Sequence, residues 1–179
     1  ADPATLRTKL RAQIGKLDSL NAETNGVMKE QAPAPQSDTL DVDAWLRALV
    51  ERTAVQTPAK WVLPASARIE VAVDRKLLDL ATSDVVAVLA EHAATRDGSG
   101  TPMITVTVDE PDPGQIRVRL GDLEAPYALS LAKAPFAIAG GGIRLAVARA
   151  MTQNAGGMLR LEHGEGDKAA FAVFLKRPE

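Results

Sequence analysis

The sequence contains no cysteine, only two histidines (His92 and His163), and few aromatics: three phenylalanines, two tryptophans and one tyrosine. Without cysteine there is no disulfide framework, no thiolate nucleophile and no cysteine-ligated metal, a composition that fits a reducing compartment. With two imidazoles, a multi-histidine metal site or a serine-histidine-acid triad has to rest on one of them. Charge of one sign is lacking as well. The 21 Lys and Arg stand against 23 Asp and Glu, a net charge of −2, which argues against a nucleic-acid binder and leaves no acidic tail to explain. No run approaches the roughly 18 apolar residues of a membrane helix. The start, Ala1-Asp2-Pro3, lacks the charged and apolar regions of a signal peptide. The chain begins without Met and reads as a soluble fragment cut from something longer.

What is present is aliphatic. Hydrophobic residues make up 46% of the 179 positions, enough for one ordinary domain with an appendage and a core of Ala, Val, Leu and Ile. Over residues 4–31 the apolar positions Leu6, Leu10, Ile14, Leu17, Leu20, Val27 and Met28 recur by threes and fours. That spacing predicts one amphipathic helix with a narrow stripe, suited to a bundle or coiled-coil seam. The prolines of Gln31-Ala-Pro-Ala-Pro-Gln-Ser37 then break the helix. The expected organisation is a helix over 1–32, a linker over 33–37 and a domain over 38–179.

Within the domain the period changes repeatedly. Leu40 and Val42 alternate with Asp41 like a short strand, and Asp43 is expected to cap a helix bearing Trp45, Leu46, Leu49 and Val50. Short apolar runs at 60–63 and 68–73 read as strands. Asp74 caps a long helix expected to reach about Arg96, with Leu77, Leu80, Ala81, Val85, Val88 and Leu89 as its buried face. Residues 103–108 and 115–120 alternate and are joined by a Pro- and Asp-rich turn, which predicts adjacent antiparallel strands. Residues 123–139 commit to neither period. Gly140-Gly-Gly142 opens a helix to about Asn154, Gly156-Gly157 ends it, and two alternating strands close the chain over 158–161 and 170–175. The fold class expected is α+β: a two-layer α/β sandwich, one mixed and mostly antiparallel sheet with helices on one face, preceded by a long N-terminal helix.

The glycine cluster at Gly140, Gly141 and Gly142 leaves backbone N–H groups free to approach a phosphate at a helix N-terminus. Equally, it reads as a flexible turn into a core-packed helix. Chain order adds to the first reading. A strand ending in Val-Asp74, a long helix with Ala93 near its end, Gly-Thr-Pro before a strand, a strand ending at Asp122, a variable segment, then Gly140-Gly-Gly-Ile-Arg-Leu-Ala and Gly156-Gly157 before two strands together resemble the ATP-binding domain of sensor histidine kinases, of the GHKL family with its Bergerat-type fold. The helix of residues 1–31, with Lys-Leu-Asp-Ser-Leu, is similar to the second helix of the dimerisation and phosphotransfer hairpin that precedes this domain in such kinases.

The resemblance implies ATP and Mg²⁺ as cofactors and a site in the cleft between long helix, lid and Gly-rich helix. Asp122 corresponds to the family's adenine-recognising Asp, and as a strand-end residue it also reads as a turn cap. Gly140, Gly141 and Gly142 stand where the family approaches phosphate. Arg144 replaces a family glycine and either blocks the phosphate path or, with Lys133, neutralises charge. Departures are concentrated here. Val88 and His92 occupy the places of the family's Asn-x-x-x-Asn, whose second Asn helps to chelate Mg²⁺. Valine offers no ligand atom and imidazole suits Mg²⁺ poorly. Glu91 supplies oxygen only if the helix turns, and His92 reads equally as a polar residue on the rim of an apolar helix. Leu123 to Pro126 replace permissive glycines. No metal ligand and no catalytic residue is assigned, and no histidine precedes His92 to serve as the family's phosphoacceptor.

The resemblance therefore implies a histidine-kinase-like ATPase module of two-component signalling, cytoplasmic, with a degenerate nucleotide site, whether active or a pseudokinase. Expected partners are a second copy through the N-terminal helix and a response regulator or another signalling protein, with no nucleic acid and no membrane contact. Two alternatives stay open: a histidine phosphotransferase or adaptor carrying a kinase-like domain, and an anti-sigma-factor-type GHKL kinase.

Overall fold

The computed structural model describes residues 14–15, 37–56, 58–93, 100–131, 133–137, 142–164 and 168–179. The chain divides into two units, Ala1–Pro35 and Gln36–Glu179. Of the first, only Ile14 and Gly15 are described, both helical; the rest of the N-terminal helix expected over 1–32, and most of the linker, lie outside the described residues.

The second unit runs β1 (Asp38–Asp41), α1 (Val42–Ala54), β2 (Lys60–Val62), β3 (Glu70–Val73), α2 (Arg75–His92), β4 (Met103–Asp112), β5 (Gln115–Leu123), α3 (Ala125–Leu131), α4 (Gly142–Asn154), β6 (Met158–His163) and β7 (Ala169–Lys176). Its sheet has the order β1-β3-β7-β5-β4-β2, with β6 also on β7. The β2–β4 pair is parallel and the others antiparallel. This is the mostly antiparallel α+β sandwich expected from the sequence.

The register explains the core. Across β5 and β7, Ile116 faces Leu175, Val118 faces Val173 and Leu120 faces Phe171, and all six are buried. Strand β7 is buried on both faces, because its other set, Ala170, Ala172 and Phe174, is buried too. The guanidinium of Arg160 lies over the Phe174 ring, 5.3 Å from its centroid. Alternation at 103–108 and 115–120 thus reads through to the observed hairpin, whose turn centres on Pro113 and Gly114.

Three details differ from expectation. Helix α1 starts one residue earlier than its expected cap. Asp41 caps it by accepting from the Ala44 N–H at 3.0 Å, and Val42 is buried as the first helical residue. Asp43 instead accepts from Arg47 Nε and Ser66 Oγ, which holds its carboxyl below the usual value of 3.8, the Ser66 bond contributing most. In α2 the buried stripe is Leu78, Ala81, Thr82, Val85, Val86, Val88 and Leu89, so Leu77 is half-buried and Leu80 is 49% exposed. A threonine inside the stripe disguised it. Its hydroxyl donates to the Leu78 carbonyl at 2.7 Å, which lets it be buried without an unpaired polar group. Finally, α2 ends at His92, short of Arg96, because Ala93 turns to extended geometry and pairs with Leu123.

Candidate functional site

The C-terminal end of α2 is paired to the end of β5 through the backbone. Ala93 bridges to Leu123, and the Glu124 N–H donates to the His92 carbonyl at 2.9 Å. Chain leaving β5 enters α3, in the segment that showed no period, and α3 anchors itself through buried Ala128 and Leu131. This places Tyr127 over His92. The two rings stack with centroids 3.6 Å apart and planes 10° from parallel. Burial, helped by the negative charge of Glu91, pushes the Tyr127 phenol above its ordinary value of 10.0.

Helix α4 brings Arg144 to the same place. Its Nη1 lies 3.4 Å from Glu91 Oε1, and Glu91 Oε2 lies 3.9 Å from His92 Nε2. Two helical turns before Glu91, on the same face of α2, the Asp84 carboxyl is pushed above its usual 3.8 by burial and drawn back by the charge of Arg144. Arg144 thus faces two acids of α2. At the start of α4, Gly142 has φ +77°, a left-handed backbone that favours glycine, with open space where a Cβ would be. Further along α4, the Arg149 guanidinium sits 5.2 Å from the Phe136 ring centroid.

Asp122 belongs to a second group on the neighbouring strand end. A register shift between Leu120 and Leu123 interrupts the β5–β7 ladder there. Gly121 permits it by close approach, since a Cβ on this residue would stand 2.6 Å from Ala170 Cβ. Within the interruption Asp122 lies 3.9 Å from Arg119 Nη1, and Arg119 Nε lies 3.8 Å from Glu162 on β6. Arg117 continues the array by donating to Glu162 at 3.2 Å and to Asp109 on β4.

Of the residues singled out by sequence, Glu91, His92 and Arg144 come together, with Gly142 two residues from Arg144. Asp122 lies one residue from the Leu123–Ala93 bridge and is engaged by Arg119. Lys133 is exposed just beyond α3, and Gly140 and Gly141 lie outside the described residues. Sequence reasoning missed Tyr127, Asp84, Arg119 and Glu162. The signal for Tyr127 was its rarity, as the single tyrosine of the chain. Among the described residues, no group of three or more His, Cys, Asp or Glu is placed to hold a metal ion. Nor is any described helix long and apolar enough to cross a membrane.

The architecture has known counterparts. The Acinetobacter baumannii histidine kinase AdeS superimposes with a TM-score of 0.60 at 14% identity, over 100% of this chain and 87% of that one. A mycobacterial sensor histidine kinase, MprB, gives 0.56 at 16% identity, over 80% of this chain and 99% of that one. A nucleotide-free form of the catalytic domain of histidine kinase ThkA gives 0.58 at 17%, with the same coverage of 80% and 99%. The fold is the one seen in these histidine kinase structures. The sequence matches no family model and no curated protein. At these identities of 14–17% the likeness is one of architecture alone.

Proposed function

We propose that this chain is a histidine-kinase-like nucleotide-binding module of two-component signalling, working in the cytoplasm as a regulatory or scaffold domain with a degenerate site. The observation that carries the reading is the combination of this fold with the His92–Tyr127 stack at the end of α2. Where the resemblance calls for two amides, the chain has a buried Val88 and an imidazole packed face to face on a phenol.

The residues fit part of a nucleotide. Asp122, at the interruption of β5, is read as the acceptor for an adenine amino group. The start of α4, with left-handed Gly142 and the cationic Arg144, suits phosphate, since N–H groups and helix dipole both favour negative charge there. Bound ATP would supply a transferable phosphoryl group, yet the chain's own histidines are poor acceptors for it. His92 is stacked, and His163 closes β6. An acceptor outside this chain, a dimer formed through the N-terminal helix and a response-regulator partner complete the reading.

Titration with a fluorescent ATP analogue tests it. Saturable binding at micromolar to millimolar analogue, abolished by Asp122→Asn, is expected. Absence of binding at millimolar analogue overturns it.

A further inference from the structure

Resting on that nucleotide-binding reading, we propose that the site takes an adenine nucleotide without a divalent cation, the Arg144 guanidinium supplying the positive charge that a metal would carry. The fold implies Mg²⁺, and the side chains do not fit it. Mg²⁺ demands near-octahedral oxygen ligands at close range. At the two positions the resemblance assigns to amides, Val88 is an aliphatic side chain in the core and His92 offers only nitrogen, from a ring stacked 3.6 Å from Tyr127. The carboxylates on this face of α2 are Asp84 and Glu91, and Arg144 faces both of them. A metal ion placed there would sit beside a permanent cation.

Arg144 suits the substitute role. Its planar guanidinium fork matches phosphate oxygens two at a time. It stands in the first turn of a 13-residue helix, so backbone N–H groups and the helix dipole add to the same field. Its present partner is weakly held. The 3.4 Å contact joins side chains that are 52% and 61% exposed, and such pairs contribute little in water. The carboxylate of Glu91 occupies the guanidinium as a phosphate would, and a phosphate, with more charge and more acceptor oxygens, displaces it. Glu91 is then a competitor built into the site, not a metal ligand.

The test is a binding titration of the full chain with a fluorescent ATP analogue, once in excess Mg²⁺ and once in EDTA. Affinity in EDTA is expected to equal or exceed that in Mg²⁺. Glu91→Gln should tighten binding about two- to fivefold in both buffers, the release of one exposed ion pair. Arg144→Gln should weaken it about tenfold, with Arg144→Lys between, because lysine keeps the charge and loses the fork. Far-UV circular dichroism and thermal melts of the variants check that the fold is intact. Binding that requires Mg²⁺, or that weakens in Glu91→Gln, overturns this inference and leaves the nucleotide reading standing. No binding in either buffer overturns both.

Discussion

The imidazole of His92 and the phenol of Tyr127 lie face to face, 3.6 Å between centroids and 10° from parallel, joining the end of α2 to α3. The stack therefore ties the C-terminal end of α2 to the segment following β5.

Replacing Tyr127 with Ala removes both the stack and the ring's own partly buried contact with the core, and should cost about 1–3 kcal/mol of stability. Tyr127→Phe keeps the ring and should stay within about 0.5 kcal/mol of the parent. Urea unfolding of the two variants separates the contributions, and equal midpoints would show that the ring carries no load.

At the interruption of β5, Gly121→Ala would bring a methyl to 2.6 Å from Ala170 Cβ and 3.3 Å from Ala170 Cα. Overpacking of this kind typically costs about 1–3 kcal/mol. Since the neighbour is itself a methyl on a central strand, Ala170→Gly in the same chain should recover part of the loss. The coupling in a double-mutant cycle is expected to exceed about 0.5 kcal/mol, and additivity would mean that the strands part freely here.

Gly142 makes the opposite case. Nothing lies within 4 Å of a Cβ built on it, while its φ of +77° is one that L side chains adopt reluctantly. Gly142→Ala should therefore cost only the backbone term, about 1–2 kcal/mol, and Gly142→Asn less, because asparagine tolerates this region better. Thermal melts of the pair check the order, Gly above Asn above Ala.

Legibility from sequence divides along a physical line. The β4–β5 hairpin could be read because Ile104, Val106, Ile116, Val118 and Leu120 alternate with polar residues and all bury on one face. Helix α2 was legible in existence and in its Asp74 cap, which accepts from the Leu77 N–H, but its face was misread because Thr82 hides its hydroxyl in a local bond to the Leu78 carbonyl. At the candidate site, Arg144 and Glu91 were found by their place in a motif. The stack was not, since it joins two residues far apart in sequence, one of them in a segment without period. Such contacts are set by the β5–α3 path, which no local pattern encodes.

Two carboxyls should give the stability profile opposite slopes in acid. Asp84 is raised above its ordinary 3.8 by burial; it holds its proton more tightly folded than unfolded, so its ionised form weakens the fold at neutral pH. That penalty fades as pH falls through the raised value and is gone below the unfolded one. Asp109 is lowered, chiefly by its hydrogen bonds from Arg117. Its contribution is complete above about 3.8 and is lost as pH falls through the lower folded value. Asp84→Asn should therefore be more stable than the parent at neutral pH, with the gap closing on acidification. Asp109→Asn should be less stable at neutral pH and should converge with the parent only in stronger acid. Urea midpoints measured from about pH 7 to pH 3 follow both curves. An Asp84→Asn variant that is destabilised at neutral pH would mean that the pull of Arg144 outweighs burial, and that Arg144 depends on Asp84 for its place beside Glu91.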